Sequence, residues 1–243
     1  LTPLFGLTLA RQIAPLLSQT AGNVYEFGAG TGELAVSLLA GLNPDVLQHY
    51  YIMDVSPELK QRQLALIREK LPEHADKVVF LDSLPDAFDG VIIGNEVLDA
   101  MASEVMRWTE TGIEQMGVSI VDEQFTWSQR PVSDERILTE ALRIQPDKQP
   151  YTSELHLNQT AFIATLAQKL TRGAIIMIDY GFDEAQYYHP QRSMGTLIGH
   201  YRHHVVDDPF FWPGLMDLTC HVNFTAMAQA AVDNDLDLIG YTS

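Results

Sequence analysis

Short apolar runs alternate with helical patterns in the first part of the chain. Runs of this length, without polar alternation, are typical of strands buried on both faces of a parallel sheet. Helical periodicity lies between them at Glu33–Ala40 and Glu58–Lys70, and Ser56-Pro57 is typical of a helix start. The pattern predicts an α/β fold, a doubly wound and mostly parallel sheet with helices on both faces. The predicted strands are Val24–Phe27, Tyr50–Asp54, Val78–Asp82 and Val91–Asn95.

The pattern changes after the fourth strand. Polar and apolar residues alternate from Glu104 to Arg130, which predicts a β-meander inserted at about residues 103–131. The segment from about 181 to 222 has little periodicity, and we predict a long substrate loop there within a single domain of residues 1–243. The remaining predicted elements are the helices Ser133–Ile144 and Asn158–Leu170, which begin with Ser133 and Asn158 as N-caps, the helix end at Gly173, the strand Ala174–Tyr180, the helix Phe224–Val232 and the strand Leu236–Tyr241.

Composition narrows the class of partner. The net charge is −17 and 46% of the residues are hydrophobic. This acidity argues against a nucleic-acid or anionic-membrane partner and favours a basic protein or peptide, and the alternative is that it only serves solubility. No window approaches a membrane span, and the lone Cys220 excludes an internal disulfide and fits a reducing compartment. Because the sequence starts at Leu1 without Met and stops just after an apolar segment, we expect a fragment that is truncated at both ends.

Glycines at alternate positions follow the first predicted strand. Gly28, Gly30 and Gly32 let the backbone turn sharply and let a ligand approach the main chain. A dinucleotide-binding turn reads G-x-G-x-x-G, whereas here the third glycine comes one residue early and Glu33 fills the later position. With Glu26 two residues before the first glycine, the turn looks like that of class I S-adenosylmethionine-dependent methyltransferases. The alternative is an ordinary strand-to-helix turn.

Acidic residues end the next two predicted strands. Asp54 comes where a doubly wound sheet places an acid that accepts hydrogen bonds from two ribose hydroxyls, although a simple turn residue is the alternative. Asp82 ends the third strand and Asn95 the fourth, and we include both in the predicted cofactor site.

Polar residues after the later strands are the candidates for catalysis. Ligands of open α/β sheets lie beyond the carboxyl ends of the strands, which points to Asn95, Glu96, Asp99 and Asp179. A guanidinium nucleophile needs carboxylates that hold its fork, and Glu154 is a further candidate for that role. Each acid on its own is equally compatible with a cap or a turn.

A histidine cluster at His200–His204 raises the possibility of a metal site. The i, i+4 spacing of His200 and His204 suits zinc only if the segment is helical, and Gly199 before it and two valines after it argue against a helix. We therefore predict no metal, and we include His204, in the substrate loop, among the candidate catalytic residues. A serine hydrolase is disfavoured because no G-x-S-x-G motif occurs.

Taken together, these segments resemble the MidA-like family of methyltransferases, which includes a mitochondrial complex I assembly factor that methylates an arginine. The matches extend over nearly the whole chain. The matching blocks are Pro3–Gly6, Glu26–Gly32, Gly94-Asn95-Glu96 with Asp99-Ala100, Ser153-Glu154, Ile178–Gly181, and the residues Gly195–Leu197, Tyr201, His204, Asp208-Pro209, Pro213-Gly214, Asp217–Thr219, His221-Val222 and Phe224.

The resemblance implies a class I methyltransferase fold, with S-adenosylmethionine as donor. It also implies a protein arginine as acceptor, on a respiratory-complex subunit for relatives of the mitochondrial branch. By position it puts Glu26, Gly28, Gly30 and Asp54 at the cofactor and Asn95-Glu96 at the methyl-transfer centre. The implied compartment is the bacterial cytoplasm, or the mitochondrial matrix of a eukaryote. The alternatives are an assembly or scaffold protein that binds the cofactor without turnover, a small-molecule methyltransferase and, more distantly, a nicotinamide-dependent oxidoreductase.

Overall fold

The computed structural model describes residues 2–202 and 204–242. Contacts within the chain define two compact units. The first comprises the residues up to Val97 together with Leu166–Asp179, and the second comprises Leu98–Thr165 together with the residues from Tyr180 onward. The single-domain organisation stays a prediction.

Seven helices and fourteen strands are found in the described residues, and a 3-10 turn covers Pro72–Lys77. The helices are α1 (Pro3–Leu17), α2 (Glu33–Gly41), α3 (Pro57–Lys70), α4 (Glu135–Arg143), α5 (Leu157–Lys169), α6 (Glu184–Tyr187) and α7 (Phe224–Val232). The strands are β1 (Asn23–Phe27), β2 (His49–Met53), β3 (Val78–Leu81), β4 (Phe88–Asn95), β5 (Glu104–Thr109), β6 (Gly112–Val121), β7 (Gln124–Pro131), β8 (Tyr151–Leu155), β9 (Leu170–Ile178), β10 (Gly181–Phe182), β11 (Ile198–Tyr201), β12 (His204–Val206), β13 (Asp217–Thr219) and β14 (Val222–Asn223).

The first unit contains a five-stranded parallel sheet in the order β3-β2-β1-β4-β9. Its strands are the five apolar runs that the sequence predicted, with ends that differ by a few residues. The strand order changes direction between β1 and β4, and this switch point is where ligands of open α/β sheets bind. We therefore expect a cofactor to bind beyond the carboxyl end of β1.

The helix α3 begins as its sequence predicted. Ser56 is the N-cap, its hydroxyl accepts a hydrogen bond from the Leu59 N–H at 3.3 Å, and Pro57 occupies the first helical position. The α2 helix instead starts after Gly32 without a side-chain cap. Its first N–H groups are left without a capping side chain, as an anion-binding helix start requires.

The second unit contains a four-stranded antiparallel sheet in the order β7-β6-β5-β8. The strands β5, β6 and β7 confirm the predicted meander. Its core includes Trp108, whose indole N–H donates to the Ala141 carbonyl at 3.0 Å, packed with Met106, Ile137 and Tyr151. In β5 the alternation of polar and apolar residues arises because Met106 and Trp108, on one face of the strand, pack into that core. Nearly all residues of β7 are exposed.

Two predicted helix starts need correction. The N-cap of α4 is Asp134 rather than Ser133, because the Asp134 carboxylate accepts from the Arg136 N–H at 2.8 Å. Asn158 is the second residue of α5 rather than its N-cap, and its side-chain amide donates to the Ala102 carbonyl at 2.7 Å.

Two further predictions were wrong. Gly173 does not end a helix: α5 stops at Lys169, β9 follows immediately, and Gly173 lies within that strand. Residues 236–242 form neither a strand nor a helix. The apolar side chains that suggested a strand are exposed: Leu238, Ile239 and Tyr241 are 56%, 92% and 61% exposed. They are therefore not buried as those of a strand in the core would be.

The segment predicted as one long loop carries short elements of its own. Strands β11, β12 and β13 form an antiparallel sheet, and β10 pairs in parallel with β14. Among the helices of residues 2–202 and 204–242, none combines the length and the apolarity needed to cross a bilayer.

Candidate functional site

The predicted cofactor residues follow the carboxyl ends of neighbouring parallel strands. Glu26 lies near the end of β1, Asp54 follows β2, Asp82 follows β3 and Asn95 ends β4. Because these strands run parallel and in register, their carboxyl ends meet at one edge of the sheet. The first unit thus brings together the residues that the sequence assigned to the cofactor.

The glycine turn has the backbone that its composition indicated. Gly28, Gly30 and Gly32 have φ values of +61°, +53° and +89°, which side-chain-bearing residues rarely adopt. A Cβ on Gly30 would meet no atom within 4 Å, so the main chain there is open to a ligand. A Cβ on Gly32 would instead come within 3.2 Å of the Gln63 Cα, so this glycine allows α3 to approach the turn.

Glu26 is a buried acid. Its side chain is 2% exposed, and the Tyr50 hydroxyl donates to its Oε2 at 2.7 Å. The pKa of Glu26 is raised from 4.5 to about 7, chiefly by burial and to a smaller extent by the charge of Asp54, while the Tyr50 hydrogen bond lowers it. Glu26 therefore changes its charge near neutral pH, where a ligand donor can select the ionised form.

We expect Glu26 to make the folding stability depend on pH. Its folded pKa is raised, so its stabilising contribution is complete below pH 4.5 and is lost as the pH rises through about 7. In the wild type, ionisation of Glu26 should lower the free energy of unfolding by up to about 3 kcal/mol as the pH rises across this window. This contribution should be absent in Glu26→Gln. Urea unfolding at several pH values measures this, with the exposed Glu58→Gln as control. An unchanged slope in Glu26→Gln would contradict the assignment.

Gln63 is a site residue that the sequence analysis missed. It is fully buried on α3, and its Nε2 donates to the Gly30 carbonyl at 2.9 Å and to Asp54 Oδ2 at 2.8 Å. The other oxygen of Asp54 accepts from the Ser56 N–H at 2.9 Å. One amide thus holds the turn and the acid together. The available signal was a polar residue four positions before Ile67 on the buried face of the helix.

Asp82 is placed differently from the other cofactor candidates. Its side chain is 93% exposed and pairs with the Lys60 ammonium at 2.5 Å. That hydrogen bond and charge lower the pKa of Asp82. Its contact with a cofactor stays a prediction.

Glu96 has an unusual backbone. Asn95 ends β4, and Glu96 follows with an exposed side chain and a φ of +50°. The Glu96 N–H donates to the Ile178 carbonyl at 2.9 Å. Ile178 is the last residue of β9 and directly precedes Asp179. A non-glycine residue held in the left-handed region costs about 1–3 kcal/mol, and such residues cluster at functional sites. Glu96 is therefore an exposed carboxylate held in a strained backbone conformation directly after β4, and its catalytic role stays a prediction.

In the second unit, Asp99 is tied to Tyr180. Asp99 is 4% exposed, and the Tyr180 hydroxyl donates to its Oδ2 at 2.5 Å. The Cys220 N–H donates to the Asp99 carbonyl, and the Val222 N–H donates to the Tyr180 carbonyl, both at 3.0 Å. Two of the segments that the sequence singled out are therefore hydrogen-bonded to each other.

Glu154 anchors the Gly195-Thr196-Leu197 segment. Its carboxylate is 1% exposed and accepts from the N–H groups of Thr196 and Leu197 at 3.0 Å and from the Tyr187 hydroxyl at 2.7 Å. Gly195 has a φ of +76°, and a Cβ there would lie 2.3 Å from Glu154 Oε1. These contacts are those of a positioning residue, and a direct contact of Glu154 with a substrate stays a prediction.

His204 begins β12, and its side chain is exposed. It pairs with Tyr201 across a hairpin, whereas His200 pairs with Val205. Because adjacent residues of a strand point to opposite faces, His200 and His204 do not share a face. His203, the other histidine of the cluster, lies outside the described residues. Among residues 2–202 and 204–242, no group of three or more His, Cys, Asp or Glu side chains is arranged to hold a metal.

Solved structures from Burkholderia thailandensis share this architecture. One is a high-resolution native crystal structure, with a TM-score of 0.92 and 44% identity over 99% of this chain and 65% of that one. Another is bound to S-adenosyl-homocysteine, with a TM-score of 0.93 and 44% identity over 100% of this chain and 63% of that one.

A curated relative is the protein arginine methyltransferase NDUFAF7, mitochondrial, of Danio rerio. It is 25% identical over 248 residues, which cover 88% of this chain and 55% of the relative. The chain thus spans between about half and two thirds of the length of these proteins.

A family model matches residues 8–242, nearly the whole chain. Its description is "Putative S-adenosyl-L-methionine-dependent methyltransferase". Together with the parallel sheet, the glycine turn and the Burkholderia structures, this match confirms the predicted fold class, the MidA-like resemblance and S-adenosylmethionine as the cofactor. The chain belongs to this family of S-adenosyl-L-methionine-dependent methyltransferases.

Proposed function

We propose that this chain transfers the methyl group of S-adenosylmethionine to an arginine of a protein substrate. The methyltransferase part of the proposal is supported by the family match. The arginine acceptor is supported by the more distant Danio rerio relative and by the acidic charge of the chain, which favours basic partners. The Burkholderia relatives support the bacterial cytoplasm as the compartment.

The Gln63 bridge is the observation that carries the cofactor site. It fixes Asp54 beside a turn whose Gly30 leaves open space, so ribose hydroxyls can reach the carboxylate while the rest of the ligand lies against the main chain. Glu26, buried beneath the turn, adds an acceptor whose ionised form a ligand donor stabilises. The acceptor groups of the first unit therefore fit the ribose hydroxyls of an adenosine cofactor.

When bound, the cofactor supplies an electrophilic methyl group. The chain's own task is to orient a nucleophile in line with it and to exclude water, and well-aligned reactants gain roughly 7–11 kcal/mol over free ones. The exposed Glu96 carboxylate is suited to accept two N–H donors of a guanidinium and to fix its orientation, and Asn95 adds an amide beside it. Strong base chemistry is not required for this role.

Titration of S-adenosyl-homocysteine by calorimetry tests the cofactor site. We expect micromolar binding to the wild-type chain and no binding of NAD. Asp54→Ala removes the ribose acceptors and should weaken binding by about 30-fold, or about 2 kcal/mol. The exposed Asp76→Ala is the matched control and should bind like the wild type. A folded chain that binds no S-adenosyl-homocysteine would contradict the proposed function.

Glu96→Gln tests turnover separately from cofactor binding. The amide keeps the size of the side chain but places an N–H₂ group against the guanidinium donors. We expect unchanged affinity for S-adenosyl-homocysteine and about a 100-fold loss of methyl transfer to arginine peptides, because misplaced reactants lose rate steeply. Transfer of radiolabelled methyl measures this. A wild-type chain that binds the cofactor yet transfers no methyl to protein or small-molecule acceptors would favour the scaffold alternative.

A further inference from the structure

The second unit exposes a group of aromatic side chains, which we call the aromatic surface: Phe125 and Trp127 of β7, and Phe210, Phe211 and Trp212 of the segment between β12 and β13. Phe125, Trp127, Phe211 and Trp212 are 48%, 38%, 50% and 44% exposed. Clusters of exposed large aromatic side chains are typical of interaction sites, whereas apolar residues exposed one at a time are common on any protein surface.

Ring contacts join these side chains into two groups, which the adjacent residues Phe210 and Phe211 connect along the chain. Phe210 lies 5.1 Å from Trp127 and 6.3 Å from Phe125, measured between ring centroids. Phe211 stacks on Trp212 at 5.1 Å, and Trp212 meets Tyr201 edge-on at 4.7 Å. The rings are therefore held in fixed positions, which lowers the entropy cost of binding a partner.

The β6–β7 hairpin extends the aromatic surface with aliphatic side chains. Val118 is paired with Trp127 and Ile120 with Phe125, so all four lie on one face of the hairpin. Val118 and Ile120 are 55% and 69% exposed. This face leaves a row of apolar side chains in contact with solvent at the edge strand β7.

Carboxylates flank the aromatic surface along the chain. Asp122 and Glu123 form the turn before Phe125, Asp207 and Asp208 precede Phe210, and Asp217 follows the aromatic segment. All five side chains belong to exposed residues. Within the described part of the chain, none of the five forms an ion pair.

Aromatic faces beside unpaired carboxylates are complementary to guanidinium groups. Arginine stacks on aromatic rings and pairs with carboxylates at the same time, which lysine does less well. The chain's own Arg202 shows this contact, with its guanidinium carbon 5.4 Å from the Tyr201 ring centroid. A second copy of the chain, with a net charge of −17, meets repulsion at this surface instead.

We propose that the aromatic surface docks an arginine-rich segment of the protein acceptor. This inference rests on the proposed function, because it names where the protein substrate is held apart from the arginine that is methylated. It assigns substrate recognition to residues outside the candidate catalytic and cofactor set.

Calorimetric titration of the chain with a synthetic peptide of alternating arginine and glycine tests the proposal. We expect about tenfold weaker binding in Trp127→Ala and in Trp212→Ala, which keep the net charge. The double variant Glu123→Gln/Asp208→Asn should weaken binding to a similar extent, while the new asparagine side chain retains an oxygen that can accept from the Phe210 N–H. Leu142→Ala removes a 56% exposed apolar side chain from α4; it is the matched control and should bind as the wild type does.

Titration of S-adenosyl-homocysteine into the same variants separates this proposal from the proposed function. Retained cofactor affinity with lost peptide affinity supports the docking surface. Cofactor binding with peptide binding that is absent, equal in all variants or equal for a lysine–glycine peptide overturns it and leaves the proposed function standing. Self-association that Trp127→Ala abolishes would assign the surface to a second copy and would also overturn it. Loss of cofactor binding in the wild type would contradict the proposed function itself.

Discussion

Glu154→Ala is expected to lower the free energy of unfolding by about 3–5 kcal/mol, because several buried hydrogen-bond donors lose their acceptor at about 1–3 kcal/mol each. The carboxylate is the acceptor for two backbone N–H groups and for the hydroxyls of Tyr187 and Thr196. Alanine leaves these donors buried without a partner and releases the Gly195–Leu197 segment. Urea unfolding followed by circular dichroism measures the change.

Tyr187→Phe is the matched control for Glu154→Ala. It deletes one hydroxyl from the same network without a change of shape, and we expect a loss of about 1–2 kcal/mol. Affinity for S-adenosyl-homocysteine should be retained in Tyr187→Phe. If Glu154→Ala is no less stable than Tyr187→Phe, the carboxylate is not the centre of this network.

Gly173→Ala is expected to destabilise the chain by about 4 kcal/mol or more, among the largest effects of single substitutions. Gly173 is paired with Gly90 across β4 and β9, and its Cβ would lie 1.7 Å from the Gly90 carbonyl oxygen. Its φ of +138° adds strain for any side chain. Gly90 in turn lies close to the backbone of Asn23: a Cβ on Gly90 would be 2.1 Å from the Asn23 backbone carbonyl oxygen. Because the nearest atoms that these Cβ positions would meet belong to the backbone, no side-chain rotation can relieve the clash.

Gly117→Ala provides the comparison for Gly173→Ala. Gly117 also lies in a strand, but the nearest atom to its Cβ position is the Ser128 Oγ at 3.5 Å, an ordinary contact distance. We expect a change below about 1 kcal/mol there. Thermal unfolding of the two variants side by side distinguishes close backbone approach from a general cost of removing glycine, and equal effects would contradict this explanation.

Local pattern predicted most of the first unit. Its strands are apolar runs, its turn is marked by glycines, and Asp54 follows at the expected spacing, so each feature was visible within a short window. Gly173 was misassigned because a glycine after a helical pattern usually ends a helix, whereas its conformation here is set by Gly90, which is distant in sequence. Tertiary pairing overrode the local signal.

The contacts of the candidate site were harder to predict for the same reason. Nothing near Gln63 shows that its amide reaches Gly30 and Asp54, and nothing near Glu154 shows that residues 195–197 surround it. The acids themselves were found because acids after strands are chemically informative. Whether an acid is exposed, as Glu96 is, or fully hydrogen-bonded, as Glu154 is, depends on distant segments.

The position of β9 in the sheet has a consequence for how the chain folds. This strand pairs with β4, yet residues 96–169 lie between them in sequence. Closing so long a connection costs chain entropy before the hydrogen bonds between β4 and β9 can form and offset it. Such non-local parallel contacts therefore form slowly. During synthesis from the N-terminus, β4 therefore emerges from the ribosome as a temporary sheet edge, open to the wrong neighbour until β9 has been made.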